Sequence, residues 1–189
     1  MAVSWMEHSS DLIEPPRAPR IQVRYAMPVD LPAVMLLKQR MALEERAPLG
    51  LDATLDDWAR DCFGPGARMF VLLALQTDTV AGFAIFCEQV IAGWAAPAVY
   101  LQDIYVLPEC RKRGIGAALM MRVAAEAQAR HARLLFLNVH ETNPARRLYD
   151  GLGFDAVRQC LVYALVGTRI RALASCAPAG VAPPEVRSG

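Results

Sequence analysis

The sequence predicts a mixed α/β fold in which one central sheet is flanked by helices. The clearest indication lies at residues 99–130, where an apolar run that favours β-structure ends at Pro108 and two glycines open an amphipathic helix. A hairpin pattern precedes this stretch, and an apolar strand pattern follows it. The resulting order of elements predicts antiparallel strands together with one parallel crossover.

Length and composition favour one folded domain with an extension at each end. The chain has 189 residues, of which 54% are apolar, so it can bury one sizeable core. Clustered prolines occur before residue 20 and again after residue 167. We therefore expect a flexible N-terminal extension at 1–20, a domain at 21–166 and a flexible C-terminal tail at 167–189.

The first part of the domain predicts one strand and two helices. Ile21 to Ala26 alternates as a strand, and apolar residues at helical spacing follow Asp30, a favourable N-cap residue. Thr54 and Asp57 have the spacing of a capping box, which predicts a second helix that ends near Gly64.

A hairpin and the central strand come next. Met69 to Leu75 and Val80 to Cys87 are apolar runs separated by a polar turn, and Gly82 indicates a bulge or a close backbone contact. Residues Glu88 to Pro97 are expected to form a loop. The central strand is expected to begin at Ala98.

The remainder alternates helix and strand. The helix after the central strand should pack on the sheet through one apolar stripe, which comprises Ile115, Ala118, Leu119, Val123 and Ala127. Leu134 to Val139 predicts a strand, and Asn143 should cap a short helix with Pro144 at its first position. Gly153 should end this helix, and Phe154 to Val166 should contain a last strand.

Composition gives no indication of several common functions. The net charge of +1 does not favour nucleic acid or an acidic membrane surface as a partner. No apolar run reaches the length of a transmembrane helix and no signal peptide is evident, so a cytoplasmic protein is expected. The five cysteines form no CxxC pair and the three histidines are isolated, so no metal is expected.

Three adjacent cations at the start of a helix indicate an anion site. Arg111, Lys112 and Arg113 stand where the helix already carries partial positive charge, which is unfavourable unless an anion binds. Gly114 and Gly116 let backbone N–H groups approach a phosphate closely. The alternative is that the cations are solvated and the glycines only form the turn.

The surrounding pattern limits the kind of phosphate compound. Ala117 follows Gly116 where a nucleoside-triphosphate loop needs Lys, and Leu119 stands where a dinucleotide site prefers glycine. The pattern Arg-x-x-Gly-x-Gly after a strand that ends Val-x-Pro instead resembles motif A of the GNAT superfamily of acetyl-CoA-dependent N-acetyltransferases. A second block, NPARRLYDGLGF, is similar to motif B of that superfamily.

The resemblance covers about residues 21–166 and includes the element order of the GNAT fold. Within the superfamily, the stretch YLQDIYVLPECR is similar to the diamine (spermidine/spermine-like) acetyltransferase branch. That branch typically has Leu-Glu-Asp before the strand, whereas Gln102 replaces the glutamate here.

The resemblance implies acetyl-CoA as co-substrate, without a metal. The pantetheine arm would lie beside the strand that holds Ile104, Tyr105 and Val106, and a backbone N–H near Ile104 would stabilise the oxyanion. The pyrophosphate would be bound by the turn and first helical residues, namely Arg111, Lys112, Arg113, Gly114, Ile115, Gly116 and Ala117. Asn143 would contact CoA, although the usual asparagine of the family falls at Thr142, which leaves helix capping as the alternative.

The resemblance also implies Tyr149 as the general acid that protonates the departing thiolate, with ordinary packing as the alternative. Gln102 cannot accept the proton of the attacking amine. Asp103, Glu88 and Glu141 stay open as bases acting through water, and structural or solvated roles are equally open for them.

The expected acceptor is a primary amine of a small molecule such as a diamine, an amino acid or an amine drug. Glu44 and Glu45 lie in the helical region that covers the acceptor site in this fold, and with Gln102 and Asp103 they are candidate substrate contacts. Ordinary solvated helix faces are the alternative. A protein or peptide N-acetyltransferase and a non-catalytic acyl-CoA sensor also stay open, as does a homodimer.

Overall fold

The computed structural model describes residues 20–45, 52–92, 96–157 and 168–174. These residues belong to two compact units, one that ends at Gly153 and one that begins at Phe154. The first unit contains four helices among its described residues, namely α1 (Leu31–Glu45), α2 (Leu55–Phe63), α3 (Ile115–Ala129) and α4 (Arg146–Gly151). The described part of the second unit contains α5 (Thr168–Ala174).

The first unit is built on a five-stranded sheet. Its strands are β1 (Ile21–Tyr25), β2 (Met69–Gln76), β3 (Thr79–Ile91), β4 (Ala96–Val106) and β5 (Leu134–Leu137). Their order in the sheet is β1-β2-β3-β4-β5. The first three pairs are antiparallel, and β4 and β5 are parallel across α3. This confirms the predicted mixed sheet with one crossover.

The hairpin of β2 and β3 closes through a two-residue turn. Thr77 and Asp78 have φ values of 49° and 62°, as a type I′ turn requires at both central positions. Ala74 pairs with Gly82 and Leu75 pairs with Val80, so a bulge lies next to Gly82. A Cβ on Gly82 would lie 2.5 Å from the carbonyl oxygen of Tyr105, so this glycine marks both a bulge and a close backbone contact.

Each face of the sheet is covered by helices. On one face, α1 and α2 bury Val34, Leu37, Met41 and Trp58 against strand side chains that include Val71, Phe83 and Ile85. α3 contacts the sheet through Ile115, Leu119, Met120, Val123 and Ala127, which are all buried. The predicted apolar stripe is therefore confirmed, except that Ala118 is half-buried and Met120 is buried in addition.

The capping box before α2 is confirmed by two reciprocal hydrogen bonds. The Asp57 N–H donates to Thr54 Oγ1 at 3.2 Å and the Thr54 N–H donates to Asp57 Oδ2 at 3.0 Å. Gly64 follows the helix as predicted. Asp30, however, accepts from the Met27 N–H at 2.7 Å and caps a 3₁₀ turn at Pro28–Asp30 that precedes α1.

The predicted loop at Glu88–Pro97 is wrong. β3 continues to Ile91 and β4 already begins at Ala96, with Glu88 opposite Val99 and Ile91 opposite Ala96. Glu88 and Gln89 interrupt the apolar run of β3, and Val90 beyond them is exposed, so the end of the strand lacks the pattern by which a strand is recognised. Backbone pairing with β4 extends it all the same.

Most predictions for the two ends fall outside the described residues. This applies to the N-terminal extension before Arg20, to the region 158–166 of the last predicted strand and to the region 175–189 of the predicted tail; residues 154–157 are not in a strand. The disorder expected after Gly167 does not hold for Thr168–Ala174, which form α5. That segment contains good helix formers, and the prolines of the tail begin only at Pro178.

Candidate active site

The sheet opens along one edge of β4. β5 pairs with β4 only from Ala98 to Leu101, whereas β4 continues to Val106. A bulge at Gln102 marks the start of this opening, since Ile85 pairs with Asp103 and Phe86 with Leu101. Among the described residues, no strand therefore pairs with this edge of β4 beyond Leu101.

Hydrogen-bond alternation shows which backbone groups point into the opening. The Leu107 N–H donates to the Ala81 carbonyl at 2.9 Å, on the side of β3. Antiparallel alternation then directs Tyr105 toward β3, and Ile104 and Val106 toward the open edge. The carbonyl of Val106 accepts instead from Arg111 Nε at 2.9 Å, which agrees with this direction.

The turn before α3 presents a row of backbone donors. Lys112 and Gly114 have left-handed φ values of 60° and 82°, and Arg113 lies between them. This alternation forms a concave nest of N–H groups, such as anions occupy. The six N–H groups from Lys112 to Ala117 have no hydrogen-bond acceptor among the described residues, and the first bond back into the helix runs from Ala118 to Gly114. We call residues 111–117 the anion turn.

The three cations of the anion turn have different surroundings. Arg111 donates to Glu44 Oε2 at 2.6 Å, and its guanidinium lies 5.5 Å from the centre of the Tyr105 ring. Arg113 donates to the neutral Gln76 Oε1 at 3.1 Å. Lys112 makes no ion pair with another described residue. The charge of Arg111 is thus offset by a carboxylate, whereas no described carboxylate offsets the charges of Lys112 and Arg113.

The two sequence blocks meet where α4 contacts the start of α3. A Cβ on Gly116 would lie 3.2 Å from Leu148 Cδ2, so the glycine permits this close packing. The neighbouring Tyr149 is buried, with 8% of its surface exposed. Burial and the charge of Glu45 raise the pKa of the Tyr149 phenol to about 12, so the phenol stays protonated at neutral pH.

The sequence predicts Asn143 as the N-cap of α4; the N-cap is instead Ala145, and Asn143 lies two residues before it. Its Oδ1 accepts from the Ala145 N–H at 2.9 Å, and its carbonyl accepts from the Arg146 N–H at 3.2 Å. These bonds order a turn before α4, which itself begins at Arg146 rather than at Pro144. The amide nitrogen of Asn143 has no acceptor among the described residues.

Charged side chains of α1 pair with β4. Lys38 Nζ lies 2.7 Å from Asp103 Oδ2. Glu44 accepts hydrogen bonds from the Tyr105 hydroxyl and from Arg111, and these bonds lower the pKa of the Glu44 carboxyl. Burial, and to a smaller extent the hydrogen bond to Glu44 and its negative charge, raise the pKa of the Tyr105 hydroxyl to about 12. We call the surface formed by Lys38, Glu44, Glu45, Asp103 and Tyr105 the acceptor face.

The candidate bases differ in how they are engaged. Asp103 is paired with Lys38, and Glu88 lies 2.6 Å from Arg130 Nε where β3 runs beside Val99. Glu45 makes no ion pair with the other described residues, and neither does the Glu141 carboxylate. Gln102 is exposed at the bulge.

Two residues of the site have no local sequence signal. Lys38 follows the helical pattern of α1, and Gln76 lies where a polar turn was expected. Their contacts with Asp103 and Arg113 join positions 65 and 37 residues apart. Only the packing of α1 and β2 against the later elements brings these pairs together.

Neither a metal site nor a membrane span emerges from the described ranges. No group of three or more His, Cys, Asp or Glu side chains there could hold a metal ion. No described helix is sufficiently long and apolar to cross a bilayer.

Curated relatives are N-acetyltransferases by name. The chain is 31% identical over 129 residues to the [ribosomal protein bS18]-alanine N-acetyltransferase of Salmonella typhimurium, covering 67% of this chain and 75% of that protein. It is 27% identical over 141 residues to mouse thialysine N-epsilon-acetyltransferase, covering 70% and 82%. It is 28% identical over 110 residues to the human spermidine/spermine N(1)-acetyltransferase-like protein 1, covering 54% of this chain but only 16% of that protein.

Solved structures share the fold at low identity. An integron cassette protein from V. cholerae has a TM-score of 0.66 at 23% identity, over 82% of this chain and 97% of that one. An aminoglycoside N-acetyltransferase in complex with CoA has a TM-score of 0.66 at 21% identity, over 79% and 97%. The model of the acetyltransferase (GNAT) family matches residues 33–154, which include the anion turn, the open edge of β4 and Tyr149. The chain therefore belongs to the GNAT family of acetyltransferases.

Proposed function

We propose that this protein transfers the acetyl group of acetyl-CoA directly to a primary amine of a small molecule. The observation that carries the proposal is the row of unpaired N–H groups from Lys112 to Ala117, which lies at a helix N-terminus just after the open edge of β4. A helix N-terminus attracts phosphate, and an open strand edge accepts an extended amide-bearing chain. Acetyl-CoA contains both groups.

Acetyl-CoA supplies an activated acetyl group as a thioester. The N–H groups of the anion turn bind its pyrophosphate, and Lys112 and Arg113 offset the negative charge. The Ile104 carbonyl and the Val106 N–H pair with the amides of the pantetheine arm at the open edge of β4. The Ile104 N–H donates to the thioester carbonyl and stabilises the negative charge that develops on its oxygen.

Tyr149 donates a proton to the departing thiolate. Its raised pKa keeps the phenol protonated at neutral pH, which is the state that a proton donor requires. Asn143 Oδ1 already accepts from the Ala145 N–H in the turn before α4, so Asn143 contacts CoA through its amide nitrogen.

Glu45 attracts the protonated acceptor amine to the acceptor face. Three facts support this assignment: Glu45 is exposed, makes no ion pair among the described residues, and acts electrostatically on Tyr149. Glu44 is held by Tyr105 and Arg111, so it shapes the acceptor face. Gln102 and Asp103 contribute polar contacts near the bulge. The amine reacts in its neutral form and gives up its proton through water.

A primary-amine acceptor agrees with the names of the polyamine and thialysine relatives. The Salmonella relative favours a second candidate, acetylation of the N-terminal amine of a protein. In both cases an unprotonated amine attacks, so the acceptor face, rather than the anion turn, decides between them.

The test is thiol release from acetyl-CoA in the presence of separate acceptors. Diamines, amino acids, aminoglycosides and peptides with free N-termini are compared at equal concentration. We expect turnover with at least one small amine and a lower kcat/KM with peptides. Turnover with peptides alone would favour the second candidate, and acetyl-CoA binding without turnover on any amine would contradict catalysis.

A further inference from the structure

Arg111 and Arg113 leave the anion turn toward different parts of the sheet. Arg111 reaches the carbonyl of Val106 in β4 and the carboxylate of Glu44 in α1. Arg113 reaches Gln76, the last residue of β2. Gly114, which follows Arg113, lies near Ile21, and Ile21 pairs with Gln76 in the sheet. Arg113 is therefore directed to the β1–β2 end of the sheet, away from the open edge.

The partner of Arg113 is neutral. A carboxylate would hold the guanidinium equally well but would cancel its charge, as Glu44 does for Arg111. The amide oxygen of Gln76 fixes the orientation of the side chain and leaves the positive charge available. An ordered cation loses less conformational entropy when it binds an anion.

The amide of Gln76 is otherwise unfavourable for folding. Its Nε2 is buried and has no hydrogen-bond partner in the part of the chain that the structure describes. A buried donor without a partner destabilises the folded state, and an apolar side chain of similar size would avoid that cost. Among the described residues, the hydrogen bond that Gln76 Oε1 accepts from Arg113 is thus the favourable polar contact of the Gln76 side chain.

We propose that Gln76 is a positioning residue that directs Arg113 to a phosphate group of acetyl-CoA. The inference rests on the proposed function and adds a residue from β2 to the binding site. The phosphate is either the pyrophosphate or the 3′-phosphate of the nucleotide, since both have the chemistry that a guanidinium binds.

The experiment is a double-mutant cycle between Gln76→Leu and Arg113→Ala, with the dissociation constant of acetyl-CoA measured by calorimetry. Gln76→Leu should raise this constant about three- to tenfold, the size of the effect of one ordinary hydrogen bond, because the charge of Arg113 remains and only its orientation is lost. It should raise the KM for acetyl-CoA with kcat nearly constant and should not lower Tm. In the Arg113→Ala background it should have no further effect.

Shortened ligands distinguish the two phosphates. If Arg113 binds the 3′-phosphate, the effect of Gln76→Leu disappears with acetyl-3′-dephospho-CoA. If Arg113 binds the pyrophosphate, the effect persists with that ligand and disappears with acetyl-pantetheine. Either pattern supports the positioning role, whereas an effect that persists with acetyl-pantetheine would contradict it.

Gln89→Leu is the matched control. Gln76 pairs with Thr79 at the start of β3, whereas Gln89 is an exposed residue near the end of β3 and pairs with Ala98. It should leave the dissociation constant unchanged. A Gln76→Leu variant that binds as tightly as the parent would overturn the inference and leave the proposed function intact. Equal losses with and without Arg113, or a lower Tm together with a lower kcat, would indicate a structural role. Failure of the parent protein to bind acetyl-CoA would overturn the proposed function and this inference together.

Discussion

The anion turn and the acceptor face satisfy their polar groups in opposite ways. The anion turn leaves six successive backbone donors without acceptors among the described residues, whereas the acceptor face pairs Lys38 with Asp103 and Glu44 with both Arg111 and Tyr105. The first arrangement is ready for an anion that supplies the missing acceptors. The second is already internally neutralised, with Glu45 as its carboxylate that has no ion pair among the described residues. The two halves of the site should therefore respond differently to substitution.

The largest expected effect is on the chemical step. Tyr149→Phe should lower kcat by about 10²–10⁴-fold, because it removes the proposed proton donor. The dissociation constant of acetyl-CoA should change little, since the phenol does not belong to the anion turn. Tyr25→Phe is a suitable control: it removes the hydroxyl of a half-buried tyrosine that accepts from Arg130, outside the site, and should leave kcat unchanged. Equal activity of Tyr149→Phe and the parent would exclude Tyr149 as the acid.

The next largest effect concerns the shape of the anion turn. Gly114 has φ +82°, so Gly114→Val forces a β-branched residue into left-handed backbone and should weaken acetyl-CoA binding by about 100-fold. Gly66 has φ +79° with open space around it, which makes Gly66→Val a control with the same backbone strain. Both variants should lower Tm, but only Gly114→Val should weaken binding. Similar binding losses in the two variants would show that strain alone is responsible.

Alkaline pH should destabilise the fold through the buried phenols. The pKa of Tyr149 is raised from 10 to about 12 by burial and by Glu45. The contribution of this phenol to stability is complete below pH 10, where the phenol is protonated in both the folded and the unfolded state. It is lost as the pH rises toward 12, because the phenol ionises first in the unfolded state. The free energy of unfolding, measured with denaturant as the pH rises toward 12, should decline by about 2 kcal/mol less for Tyr149→Phe than for the parent. Parallel curves would contradict the raised pKa.

The smallest effects distinguish two neighbouring glutamates of the acceptor face. Glu45→Gln should raise the KM for a diamine about two- to fivefold without lowering Tm, because an exposed carboxylate contributes modestly. Glu44→Gln should lower Tm by a few degrees, because it weakens the bonds to Tyr105 and Arg111, and should leave the diamine KM nearly constant. The reverse pattern would assign substrate binding to Glu44.

The sequence predicts the anion turn far better than the acceptor face, for a physical reason. The turn is local: its glycines, its cations and the start of α3 lie within seven consecutive residues. The capping box at Thr54 and the hairpin turn at Thr77 are predictable for the same reason. The pair of Glu44 with Arg111 joins residues 67 positions apart, and no local pattern indicates it. The extension of β3 beyond Cys87 likewise has no local sequence pattern, because pairing with β4 determines it.

The most direct test of the account is amide hydrogen exchange at residues 112–117 with and without saturating acetyl-CoA. These N–H groups have no acceptors among the described residues in the free protein, so they should exchange fast, and the pyrophosphate should protect them. Amides at the start of α2 provide a reference that should not change. Protection confined to the anion turn and the open edge of β4 is the predicted result. Tight binding of acetyl-CoA without protection at residues 112–117 would contradict the assignment of the anion turn as the pyrophosphate site.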